Sequence, residues 1–250
     1  MTETVSTIGK RSPSRFLSRV RRSLLRLVGQ SGEIPVGSVN WGALRRTQPL
    51  SRNFGYDRGK PIDRYYIEAF LSDWSADVAG RVLEVKDATY TREFGASRVS
   101  RSDVVDIDPT NPKATIIADL NQASELPADS YDCIILTQTL QFVYALGDAI
   151  RYLYRSLKPG GVLLVTVPCI TPVRRIHQGW YWSFTEQCLQ RLLSEQFAPS
   201  DVLVRTYGNL LSATAFLYGL SATELGKSEL NSCDPDYQVI IAARAVRPVR

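Results

Sequence analysis

The chain has 250 residues, 44% of them apolar and 22% charged, proportions ordinary for a soluble globular domain with a full core. A single histidine, His177, excludes a multi-histidine metal site. Four scattered cysteines without C-x-x-C spacing fit neither a disulfide framework nor a zinc centre, and suit a reducing cytoplasm. No apolar run reaches the roughly 18–20 residues that span a bilayer, and the patch "LLRLV" is too short and too charged for a secretory signal.

The net charge of +5 is unevenly spread. Residues 1–60 carry 12 Lys/Arg against 3 Asp/Glu, and residues 61–250 carry 18 against 22. A mildly acidic main domain disfavours a broad nucleic-acid footprint, so no nucleic-acid partner is expected. Residues 1–60 read as a basic, partly disordered arm and residues 61–250 as the globular domain. Within the arm, 14–28 has helical periodicity. Arg15, Arg19, Arg22 and Arg26 share one face, and Phe16, Val20, Leu24, Leu27 and Val28 another. Such a helix suits peripheral contact with an anionic membrane or a protein; the alternative is loose packing on its own domain. Residues 29–60, rich in Gly, Pro, Ser and Asn, read as linker.

Pro61 opens a helix expected to run to about Val78, with Ile62, Tyr66, Phe70 and Trp74 on one face. Strands are expected at 81–85, 103–107, 114–118, 132–136 and 162–167. The segment "GDAIRYLYRSLKPGG" reads as a helix closed by Pro159 and Gly160. Ser183 and Glu186 have capping-box spacing, which predicts a helix from about Thr185. Two more strands, 201–208 and 237–246, flank an apolar helical segment. Apolar strands alternating with helices or crossovers imply a mostly parallel, doubly wound α/β sheet covered on both faces.

Ligands of such sheets bind beyond the carboxyl ends of the strands. Glu84 lies in the first strand, which exits at Lys86. Asp106 and Asp108 end the second, and Asp119 follows the third. Carboxylates there can accept hydrogen bonds from ribose hydroxyls and an adenine amino group. The interval from Glu84 to Asp106 or Asp108 is close to the roughly 20 residues between a phosphate-type turn and a ribose-binding acid. No G-x-G-x-x-G turn is present, which argues against a nicotinamide-dependent oxidoreductase.

Five segments in order, "RVLEV", "DID", "ADLNQASELPADSYDCIILTQTLQFV", "LYRSLKPGGVLLVTVP" and "WYWSFTEQCLQRLL", resemble class I S-adenosylmethionine-dependent methyltransferases of the small-molecule, type 11-like kind. The resemblance covers residues 61–250. It implies a Rossmann-like, seven-stranded sheet whose last strand is antiparallel. It also implies S-adenosyl-L-methionine as cofactor and a cytoplasmic enzyme methylating a small molecule: a sugar, a glycolipid precursor or a secondary metabolite. Carried over by position, Glu84 and the backbone of Val85, Lys86 and Ala88 hold the methionine end. Asp106 or Asp108 takes the ribose, with Asp108 preferred because Pro109 would stop the strand there. Asp119 and Leu120 face the adenine, and Leu136, Thr137 and Gln138 lie beneath the sulfonium.

This chain departs from the family where Lys86, Ala88 and Tyr90 replace the loop glycines. Either the loop adopts negative φ with Ala88 leaving room, or Lys86 fills the site and the domain is a non-catalytic binding or scaffold module. Acceptor-side candidates are Gln141, Trp180, Tyr181 and His177. His177 is also the candidate base, since its unperturbed pKa alone suits proton transfer near neutrality. Arg174 and Arg175 suit an anionic acceptor or simple solvation.

Overall fold

The computed structural model describes residues 34–122, 126–174 and 179–249. The expected arm helix at 14–28 lies outside them. The chain divides into Met1–Arg46 and Thr47–Arg250; in the first, Gly42–Leu44 form one 3-10 turn. The domain therefore begins before Pro61. Residues 47–60, read above as linker, are tied into it. Leu50 N donates to Tyr218 O at 2.8 Å, and Arg58 Nε donates to Glu224 Oε2 at 3.0 Å. Backbone pairing and an ion pair hold a segment whose Gly-rich composition resembles that of free linkers.

Seven strands form one sheet: β1 (Gly80–Val85), β2 (Val99–Asp106), β3 (Ile116–Ile117), β4 (Tyr131–Thr137), β5 (Leu157–Pro168), β6 (Val202–Tyr207) and β7 (Ile240–Val246). Their order is β3-β2-β1-β4-β5-β7-β6. β1 to β5 are parallel, and β7 lies antiparallel between β5 and β6. The strand order switches between β1 and β4, where such sheets open a crevice.

The two faces follow from side-chain alternation. Along β4, Ile134 and Leu136 join Leu83, Leu163 and Val165 on the face covered by α2 (Leu146–Ser156) and α3 (Glu186–Leu193). Cys133 and Ile135 join Val82, Leu164 and Ala242 on the other face. That face is covered by α1 (Ile62–Asp73) and α4 (Leu210–Tyr218), with the short α5 (Lys227–Asn231) beside them. Strands buried on both sides need the continuous apolar runs this sequence has.

Several boundaries differ from expectation. α1 stops at Asp73, and Pro61 is its N-cap, with a 3-10 turn at Ser75–Asp77. Trp74 lies past the helix end, only half-buried, with Arg244 4.7 Å and Arg205 5.5 Å from its ring. β3 keeps two residues of the five expected. "LKPGG" does not close a helix; it is the start of β5. The β4–β5 register shifts between Tyr131 and Cys133. Gly160 takes φ +81° there, and a Cβ on Gly161 would sit 2.8 Å from Tyr131 O. The glycines therefore serve an irregular strand entry. Thr185, not Ser183, caps α3, its hydroxyl accepting from Cys188 N at 3.2 Å. Among the described residues no helix is long and apolar enough to cross a membrane.

Candidate functional site

The exit of β1 carries the decisive residue. Lys86 is exposed and holds φ +73°, so the turn does not take the negative-φ alternative. Its N–H donates to Val105 O at 2.9 Å, and its carbonyl accepts from Asn111 Nδ2 at 2.8 Å. Bonds to β2 and to the loop after it fix the peptide on both sides. They override a left-handed penalty of about 1–2 kcal/mol for a residue with a Cβ. The turn keeps a glycine-type backbone without a glycine.

Glu84 shapes the rest of the loop. It is 3% exposed. One carboxylate oxygen accepts from Tyr90 N at 3.1 Å, the other from Thr91 N at 2.7 Å. Burial pushes its pKa up, against the pull of these two donors. The acid assigned above to the methionine end thus holds the loop's own backbone, and each oxygen keeps a further acceptor site. Asp87 Oδ1 accepts from Thr89 N at 2.9 Å, and Lys113 lies 3.5 Å from Asp87 Oδ2. Burial raises the Asp87 pKa, but Thr89 and Lys113 outweigh it and hold the group below its usual value. Val85 and Ala88 are half-buried along this turn. Arg64, from the start of α1, donates to Tyr56 Oη at 2.8 Å and to Tyr90 Oη at 3.4 Å. Gly95, the first glycine after the strand, is no displaced loop glycine. A Cβ there would lie 2.4 Å from Val99 Cγ2 and 2.9 Å from Val78 Cγ1, so it serves packing.

β2 ends at Asp106, two residues before Asp108, and the argument that Pro109 sets the strand end is corrected. Asp106 is half-buried. Its Oδ1 accepts from Asp108 N at 3.0 Å and its Oδ2 from Asn111 Nδ2 at 2.6 Å. Asp108 is exposed and closes its own turn, Oδ1 accepting from Thr110 N at 2.8 Å and Thr110 Oγ1 at 2.7 Å. The Thr110 hydroxyl, then its N–H, draw the Asp108 pKa down. Sequence reasoning missed Asn111; its one signal was an Asn-Pro pair in a turn.

Asp106 O accepts from Ala118 N at 3.0 Å, which sets Asp119 just beyond the neighbouring strand end. Asp119 Oδ1 accepts from Asn121 N and Nδ2 at 2.9 and 2.8 Å. Asn121 Oδ1 in turn accepts from Tyr144 N and Ala145 N. The capping role of Asp119 thus ties the β3 exit to the segment after β4. Leu120 and Leu136 are buried and Thr137 is half-buried.

After β4 the chain turns at Gln138, φ +48°, whose N–H donates to Thr166 O at 2.9 Å. Gln141 is 2% exposed and its Nε2 donates to Gln138 O at 2.9 Å. Its carbonyl accepts from Tyr181 N at 2.8 Å and Trp182 N at 3.3 Å. Gln141 therefore holds the Tyr181–Trp182 segment against the exit of β4. Arg174 is engaged elsewhere, donating to Asn53 Oδ1 at 3.1 Å with its guanidinium 5.5 Å from the Phe54 ring. His177 and Arg175 lie outside the described residues.

A seven-stranded sheet with β7 antiparallel, and acids at the ends of β1, β2 and β3, defines a Rossmann-like domain of the methyltransferase type. Residues 54–198 match the model of a methyltransferase domain family, and the chain belongs to that family. It is 28% identical over 115 residues to the malonyl-[acyl-carrier protein] O-methyltransferase of Enterobacter lignolyticus (strain SCF1), a match taking in 42% of this chain and 46% of that protein. The chain thus spans about half the length of the curated relative it matches. Among solved structures, a SAM-dependent methyltransferase from Archaeoglobus fulgidus superposes with a TM-score of 0.51 at 15% identity, covering 73% of this chain and 94% of that one. That likeness is one of fold.

Proposed function

We propose that this protein is an S-adenosylmethionine-dependent methyltransferase acting on an oxygen or nitrogen of a small molecule. The observation that carries the reading is the left-handed Lys86 turn. It is clamped by Asn111 and followed by a loop bonded to Glu84. A non-glycine residue held in the left-handed region by surrounding bonds is the kind of stored strain that clusters at ligand-binding sites.

The donor set fits the cofactor. Asp106 and Asp119 are acceptors at adjacent strand ends, each with acceptor capacity beyond its protein bonds. Asp106 suits ribose hydroxyls better than Asp108, whose carboxylate closes a solvent-facing turn. Asp119 and the backbone of Leu120 suit the adenine edge. The backbone of Val85, Lys86 and Ala88 lines the amino-acid end, where the Lys86 ammonium, without an ion-pair partner among the described residues, complements a carboxylate. The cofactor supplies an electrophilic methyl group on a sulfonium. The protein's part is alignment of the acceptor for in-line displacement, with water excluded. Leu136, Thr137 and Gln138 form the floor of that approach, and Gln141 holds the aromatic segment beside it.

A thermal-shift measurement with S-adenosylhomocysteine tests the reading. A ligand at 100 times its Kd stabilises the native state by about 2.7 kcal/mol, a shift of several degrees. No shift at millimolar ligand would leave the non-catalytic module as the account of this domain.

A further inference from the structure

Five aromatic side chains gather beyond the ends of β4 and β5, which the proposed methyl transfer does not by itself require. Phe142 and Trp180 meet edge to face at 5.1 Å. Tyr144 meets Tyr181 edge to face at 5.3 Å and stacks on Trp182 at 6.0 Å, 29° from parallel. Tyr144 is 67% exposed, Tyr181 53% and Trp182 36%. Large aromatics left this open, side by side, mark a binding surface more often than chance exposure.

The plate is held rigidly. Gln141 O receives the N–H groups of Tyr181 and Trp182. Trp182 Nε1 donates to Val143 O at 3.0 Å and Trp180 Nε1 to Trp182 O at 3.1 Å. Both indole N–H groups are therefore consumed by the protein, and the rings offer π faces and two phenols. Beside them lie two buried polar atoms with no hydrogen-bond partner among the described residues, Gln138 Nε2 and Gln141 Oε1. Buried amide atoms in native folds nearly always find a partner, so this pair points to a polar ligand or water at the β4 end.

We infer that this plate is the acceptor subsite and that its ligand is a carbohydrate ring; the inference rests on the methyltransferase reading. The chemistry selects the class. A pyranose presents an apolar C–H face to an aromatic ring and hydroxyls at its rim to amides. The rings at the plate are set at 72° and 29° to Tyr144. They form no pair of parallel walls to sandwich a flat heterocycle. Arg174 is committed to Asn53 and Phe54, and among the described residues no cation stacks on a ring of the plate.

Saturation-transfer NMR on the full chain tests this, using methyl glycosides of common hexoses as probes and 1-naphthol as the planar control, with and without S-adenosylhomocysteine. Transfer is expected to concentrate on the C–H protons of one sugar face. It should fall at least fivefold in Tyr144→Ala and Tyr181→Ala, and persist in Tyr144→Phe and Tyr181→Phe. Affinity for S-adenosylhomocysteine should stay within twofold of the parent in all four. Transfer to no glycoside, transfer to naphthol alone, or glycoside transfer indifferent to both alanine variants would overturn the inference. Glycoside binding in a protein that ignores S-adenosylhomocysteine would instead overturn the methyltransferase reading and leave a sugar-binding plate.

Discussion

Asn111 joins Asp106 to Lys86: its Nδ2 donates to the Asp106 carboxylate at 2.6 Å and to the Lys86 carbonyl at 2.8 Å. One amide thereby fixes both the Asp106 carboxylate, proposed here for the ribose, and the turn at the β1 exit. Asn111→Ala removes a donor to a charged group, an interaction of about 1.5–3 kcal/mol. Affinity for S-adenosylhomocysteine is expected to drop about tenfold or more by calorimetric titration. Unchanged affinity would show that neither group depends on the bridge.

Glu84→Gln tests the loop clamp. A glutamine can accept from only one of Tyr90 N and Thr91 N and turns an N–H toward the other. An unpaired buried group costs about 1–3 kcal/mol. Denaturant unfolding should show that loss, and hydrogen exchange should quicken at Tyr90 and Thr91. Exchange rates equal to the parent's would mean the clamp is dispensable.

Lys86→Gly removes the left-handed strain of about 1–2 kcal/mol, while glycine's larger unfolded-state entropy returns about 0.5–1 kcal/mol. A net stabilisation of up to about 1.5 kcal/mol is expected by urea titration. Lys86→Ala should give no such gain, because alanine keeps the Cβ. A destabilised glycine variant would show that the lysine side chain contributes more than its backbone costs.

The layout of the sheet was legible in the sequence because buried parallel strands must be apolar runs, and 81–85, 132–136 and 162–167 sit inside β1, β4 and β5. Less was legible where local chemistry has two outlets. Pro-Gly-Gly ends helices and also opens irregular strands, and only the packing of Gly161 against Tyr131 O decides between them. Asp106 and Asp108 are equivalent by spacing; the strand ending and the Asn111 bond separate them. The positive φ at Lys86 was not legible because it depends on the two hydrogen bonds that hold the peptide.

The Arg58–Glu224 pair, which holds residues 47–60 to the domain, has a pH signature. Hydrogen bonding to the Arg58 guanidinium lowers the Glu224 pKa from 4.5 to about 2. A depressed folded pKa means stability that is present above about 4.5 and lost as pH falls toward 2. The difference in Tm between the parent and Glu224→Gln should therefore be constant near pH 6 and close between pH 4.5 and 2. A difference that persists at the acid end would assign it to packing instead of charge.

Calorimetric titration with S-adenosylhomocysteine of the parent, Asp106→Ala and Asp108→Ala tests the central claim most directly. The account predicts micromolar binding by the parent, at least tenfold weaker binding by Asp106→Ala, and a change of less than threefold in Asp108→Ala. A folded parent that does not bind at millimolar ligand would contradict the claim that the Lys86 turn is a working cofactor loop.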